Sequence, residues 1–343
     1  SGFAKPGWVN VEVGEVWMPW TEHPTDEEAR RIRERQARLA LALNRAVDTR
    51  LGMPGLNVQE RAIIEGNREL ALNALSNERA MATLHEGFSG SPKRRFLPDE
   101  TLEGLVLKSD ALPNVTVYVL GPSKVESVIR DMDPPIGKSY LRLLESRGED
   151  GTVPEPFALE WSIAPDEYAA AGQSSAGASD WTLKLKELVG AKNWEFPTLS
   201  PKDQEVINNL GDLELAAAVS LDKAVNGTSL MLVLKVGQTH LLFPGDAQWG
   251  TWEAALNDRA SRDILMKTKF LKVAHHGSHN ATPTDFVEDI IKGKGVHAMV
   301  STRPVSNWPD IPRLPMLEAL TKCGCSWVRS DQPNKGDSKI FKK

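Results

Sequence analysis

The most constraining stretch of this chain is its last third, where short apolar runs alternate with helix-like segments. Residues 229–236 and 239–243 are β-type runs on either side of Gly237-Gln238, a two-residue connection that signals a hairpin. A helix-like segment at 252–265 leads to another apolar run at 270–274. Beyond it come a helical stretch at 284–291, a strand at 296–302, a helix at 314–320, and strands near 326–330 and 339–341. Strands that alternate with helices and include one hairpin predict an α/β fold: a mixed sheet with helices packed outside it.

Upstream, residues 115–120 form an apolar run closed by Gly121-Pro122, which predicts a buried strand. Residues 148–177, rich in Pro, Gly, Ser and Ala, predict a long loop, followed by helices near 181–189 and 201–221. Near the start, residues 9–20 are β-like. Thr25 with Glu28 three positions on has the form of a capping box, opening an amphipathic helix that runs to about residue 47. A second helix is expected over 58–85, with Ile63, Ile64, Leu70, Leu72 and Leu75 as candidate core positions. These two helices read as an antiparallel pair, a helical insertion over 25–90 within one domain spanning 1–343. The Arg30 to Arg38 cluster reads as a solvated helix face.

The chemistry concentrates at two strand ends. Three of the seven histidines, His275, His276 and His279, fall within five residues directly after the run 270–274. Neutral imidazole is the commonest metal ligand and a proton shuttle near neutral pH. The preceding strand, 239–243, ends in Pro244-Gly245-Asp246, where glycine permits a sharp turn and the aspartate offers an acceptor at the sheet end. An aspartate and a histidine delivered from neighbouring strand ends suit Zn²⁺, or Mn²⁺ where oxygen ligands predominate. A carboxylate can also bridge two ions, as in phosphate-ester hydrolysis. His279 is placed to act as a proton donor or a phosphate contact.

Composition narrows the classes without choosing among them. A net charge of -5 does not advertise a nucleic-acid binder, although a basic groove can sit inside an acidic average. Cys323 and Cys325 flank a single glycine, too close for an ordinary disulfide framework and too few for a zinc knuckle, which points to a reducing, cytoplasmic setting. No apolar run approaches the roughly 20 residues that span a bilayer. The Asn-x-Thr triplets at Asn114, Asn226 and Asn280 are read as chance matches to the glycosylation pattern.

Three segments in order, Asn226-Gly227-Thr228-Ser229-Leu230, Leu242-Phe243-Pro244-Gly245-Asp246-Ala247-Gln248 and Leu271-Lys272-Val273-Ala274-His275-His276-Gly277-Ser278, resemble the C-terminal half of a metallo-β-lactamase-fold hydrolase. The resemblance is to the branch that includes the hydrolase domain of the DNA-uptake protein ComEC. Residues 15–22 and 117–122 are similar to large bacterial members of that branch, so the likeness spans most of the chain. It implies the second portion of an αββα sandwich, with Asp246 as the bridging carboxylate and His275 or His276 as the last histidine ligand. His275, the first to leave the strand, is slightly favoured. Asn226 and Ser229 occupy the segment where many relatives place another histidine.

The His-x-His-x-Asp-His motif of that family does not occur in this sequence. The resemblance therefore implies a dinuclear Zn²⁺ site, with Mn²⁺ as the other candidate, completed by an N-terminal half present as a separate chain or cleaved piece. The expected activity is metal-dependent hydrolysis of phosphodiesters, a nuclease acting on DNA or RNA. The competing expectation is a non-catalytic regulatory or interaction subunit that keeps the fold without the metal. Self-association into a homo-oligomer is a further expectation about partners.

Overall fold

The structure is a computed structural model. It describes residues 3, 6–52, 61, 64–65, 67–68, 78–131, 134–135, 137–140, 225–278, 281–302 and 311–333. The expected loop at 148–177, the helices at 181–189 and 201–221, the strand at 339–341, His279, and most of the stretch between 53 and 77 lie outside the described residues. The chain divides into two compact units, one holding residues 1–16, 21–93 and 148–225, the other 17–20, 94–147 and 226–343. The helical stretch 25–90 thus falls in the first unit.

In the first unit, residues 6–10 form a 3-10 turn where a strand was expected. The strand β1 is confined to Glu15–Pro19. β1 pairs with β2 (Lys93–Leu97) in a two-stranded sheet, most of both strands lying in the second unit. The helix α1 spans Glu27–Leu51. It buries Ala29, Ile32, Leu39, Ala40, Leu43 and Val47, steps of three, four and seven residues with Leu39 and Ala40 side by side, which keep them on one stripe. Its capping oxygen comes from Asp26 and not from Thr25: Asp26 Oδ1 accepts from Ala29 N at 2.8 Å and the Asp26 carbonyl accepts from Arg30 N at 3.0 Å. Thr25 is occupied elsewhere, its backbone N–H donating to His23 Nδ1 at 3.3 Å. The end of the second expected helix is α2 (Glu78–His85).

The second unit is built on a seven-stranded sheet ordered β3 (Val106–Leu107), β4 (Val115–Gly121), β5 (Met231–Val236), β6 (Thr239–Phe243), β7 (Thr268–Lys272), β8 (His297–Val300) and β9 (Ser326–Arg329). β3 to β6 pair antiparallel, and β6 to β9 pair parallel. The α/β class with a mixed sheet is therefore observed. β5 and β6 form the expected hairpin, Val236 opposite Thr239, with Gly237 at φ 57° in a conformation that side chains resist. Parallel pairing demands crossovers, since the chain must return to the same end of the sheet. These are α4 (Trp249–Asn257) with α5 (Arg259–Leu265) between β6 and β7, a π-type turn at Phe286–Ile290 between β7 and β8, and α6 (Leu314–Lys322) between β8 and β9. A short helix, α3 (Glu126–Arg130), follows β4.

Side chains on β5 sort by the two-residue period of a strand. Met231 and Val233 join the main core with Leu242, Leu271, Ala298, Trp252, Leu265, Phe286 and Leu320. Leu230, Leu232 and Leu234 pack instead on Leu97, Leu107, Val117 and Val119. Both sides of the hairpin are thus apolar, which holds its register and, through it, the direction in which β6 delivers its C-terminal turn.

Candidate functional site

β6 and β7 are adjacent and parallel, so the turns that follow them emerge at the same end of the sheet. After β6 the chain makes a tight turn in which Ala247 N donates to Pro244 O at 3.1 Å. Gly245 sits at φ 59°, and a Cβ placed there would lie 2.9 Å from Leu230 O, so the backbone needs glycine both for its conformation and for the close approach. That turn carries the half-buried Asp246.

After β7, Val273 N donates to Met299 O at 2.8 Å, and the chain then takes an unusual path. His275 (φ 42°, ψ 49°), His276 (φ 56°, ψ 14°) and Gly277 (φ 86°) lie in the left-handed region in succession. For the two histidines that conformation costs about 1–2 kcal/mol each, so surrounding contacts must hold it. Three backbone bonds do so. His275 N donates to Gly245 O at 3.1 Å, Ser278 N to His275 O at 2.9 Å, and Arg313 N to Gly277 O at 3.0 Å. The first of these ties the histidine turn directly to the aspartate turn.

The two imidazoles have different surroundings. His275 is half-buried, with Nε2 3.3 Å from Asn226 Nδ2. His276 is exposed, and its Nδ1 lies 2.5 Å from Ser301 O. A carbonyl only accepts, so Nδ1 of His276 carries a proton, and Nε2 is the nitrogen of this exposed ring that a ligand could take. This is the arrangement by which a backbone carbonyl orients a metal-binding histidine.

The structure therefore brings Asp246, His275 and His276 onto linked turns at one end of the sheet and adds Asn226 to them. Ser229 is on the same segment as Asn226, its backbone N–H donating to Asn226 O at 3.0 Å. Ser301 and Arg313 were not singled out in the sequence. Their only signal there was position, Ser301 closing the run that became β8 and Arg313 preceding the last helix. Among the described residues, no group of three or more His, Cys, Asp or Glu side chains gathers in a way that would hold a metal ion. Asp246 with His276 provides a carboxylate oxygen and an imidazole nitrogen of the kind Zn²⁺ or Mn²⁺ takes, fewer donors than the four of a closed zinc site.

Other chemistry-bearing residues lie elsewhere. Cys323 and Cys325 are free and buried at the end of α6, and burial pushes both thiols up, Cys325 to about 11. Such thiols are poor nucleophiles and ligands near neutral pH. A groove of 210 Å³ between α6 and β9, lined by Leu314, Leu317, Trp327 and Arg329 among others, includes neither Asp246 nor the histidines. No helix among the described residues is long and apolar enough to cross a membrane.

Compared with protein-family models, curated proteins and solved structures, the chain matches none.

Proposed function

We propose that this chain is part of a metal-dependent hydrolase of phosphodiesters, a nuclease acting on DNA or RNA, with a portion of the metallo-β-lactamase fold. The observation that carries the reading is the hydrogen bond from His275 N to Gly245 O, which joins an aspartate turn and a histidine turn at the ends of adjacent parallel strands. Ligands and substrates bind preferentially at the carboxyl ends of strands in such sheets. Asp246 would hold the metal through its carboxylate, and His276, its ring oriented by Ser301 O, would be the histidine ligand in preference to His275. Bound ions supply positive charge to phosphoryl oxygens and acidify water. The remaining ligands come from an N-terminal segment of the same fold. His279 serves as the proton donor or phosphate contact.

The test is metal analysis and hydrolysis of bis(p-nitrophenyl) phosphate and labelled single-stranded DNA, using the chain together with that segment. Asp246→Ala is expected to lower metal content and to reduce hydrolysis by roughly 100-fold or more. Undiminished hydrolysis in Asp246→Ala sinks the proposal. A chain that binds a partner stably yet takes up neither Zn²⁺ nor Mn²⁺ would replace it with the non-catalytic subunit.

A further inference from the structure

We infer that Asn226 is a positioning residue of this site, its side-chain amide donating to His275 Nε2 and fixing that ring as the Nδ1–H tautomer behind the outward His276. The inference rests on the hydrolase reading above and deepens it. Asn226 Nδ2 lies 3.3 Å from His275 Nε2, and Asn226 is only 8% exposed, so the pair meets away from competing water. A neutral imidazole has one donor and one acceptor nitrogen. With Nε2 accepting, the proton resides on Nδ1.

The contact also closes a loop of three segments. The Asn226 amide reaches His275, and the backbone of His275 reaches Gly245. A Cβ at Gly245 would come 2.9 Å from Leu230 O and 3.5 Å from Ser229 Cβ, so only glycine lets this turn lie beside the segment that carries Asn226. The left-handed path through His275 and His276 is thereby held at its first residue from two sides, by the Asn226 amide and by Gly245 O. His276 leaves that path with its Nδ1 on Ser301 O. One histidine of the pair is spent on position, and its neighbour is presented.

The tautomer is directly measurable. In the full chain labelled with ¹⁵N-histidine, two-bond ¹H–¹⁵N correlation spectra at a pH where imidazoles are neutral are expected to show His275 as Nδ1–H, with His275→Gln supplying the assignment. Asn226→Asp, near-isosteric but accepting only, is expected to switch His275 to Nε2–H, and Asn226→Leu to leave it mixed. An Nε2–H pattern in the unsubstituted chain, or one pattern shared by all three proteins, overturns the inference. Circular dichroism checks folding, and Asn226→Asp alone carries the test if Asn226→Leu unfolds. In the assembly completed by the N-terminal segment, Asn226→Asp is expected to lower kcat on bis(p-nitrophenyl) phosphate by roughly 10- to 100-fold with little change in KM. A tautomer switch without any diester hydrolysis by the unsubstituted assembly would remove the hydrolase reading and leave the positioning role standing. Hydrolysis with the Asn226-dependent tautomer absent would remove the positioning role alone.

Discussion

At the scale of single residues, the site is governed by positions where no other side chain fits. Gly277 combines φ 86° with a Cβ position 2.6 Å from Pro312 Cβ and 3.0 Å from Met316 Cε. Gly277→Ala is therefore expected to cost about 2–4 kcal/mol, from the left-handed backbone together with overpacking. Urea denaturation checks this, and an unchanged midpoint contradicts it. Gln248, two residues beyond Asp246, is 1% exposed, and neither its Oε1 nor its Nε2 has a hydrogen-bond partner among the described residues. An amide buried in this way costs about 1–3 kcal/mol. Gln248→Met, similar in shape and without polar demands, is expected to raise the denaturation midpoint; a lowered midpoint would show that the amide is satisfied in solution.

At the scale of elements, the helix expected over 252–265 divides at Asp258, whose side chain accepts from Ser261 N at 2.8 Å and starts α5 as a new helix. Asp258→Ala is expected to destabilise the protein by about 1 kcal/mol, the usual worth of such a cap, and to be seen as a lowered thermal midpoint. Retention of the midpoint would argue that α4 and α5 merge without it. This division shows what was legible in the sequence. Apolar runs placed β5, β6, β7 and β8 within a few residues because burial imposes a period the sequence cannot hide. Asp258 and Asp26 were each a single polar residue among several that could cap, and only the backbone path decides which oxygen meets which N–H. The same limit applied at the site. Asp246 and the histidines were found because they follow strands, whereas the roles of Asn226, Ser301 and Arg313 depend on partners distant in sequence.

At the scale of the whole molecule, two carboxyls of the first unit and three of the second are shifted in opposite senses. In the second unit, Asp99 loses solvation on burial, but hydrogen bonds from Thr101 and Arg95 outweigh this and hold it below the usual carboxylate range. Asp258 is held down by the Ser261 N–H and hydroxyl, and Asp331 by the Arg329 guanidinium. In the first unit, burial raises Glu22 and Glu34 despite nearby arginines. A folded pKa below the unfolded value gives stability that is complete above about pH 4 and is lost as pH falls through the folded value. A raised pKa gives stability that is complete below that point and is lost as pH rises through the folded value. Acidification below about pH 4 is thus expected to weaken hydrogen-exchange protection around Asp99 and in α5, whereas α1 gains protection as the pH falls from neutral towards 4. Parallel losses would refute the opposition.

The hairpin between β5 and β6 has a consequence for when this protein becomes competent. Two strands joined by a two-residue turn find each other in roughly 1–10 μs, because little chain entropy is lost in closing so short a loop. The union of β6 with β7 has no such shortcut, since α4 and α5 must first carry the chain back along the sheet. Asp246 therefore waits at the end of an early-formed ribbon, and its histidine partners arrive only with a late, non-local closure. The linked pair of turns is accordingly expected to assemble after the hairpin, with the closure of β6 on β7.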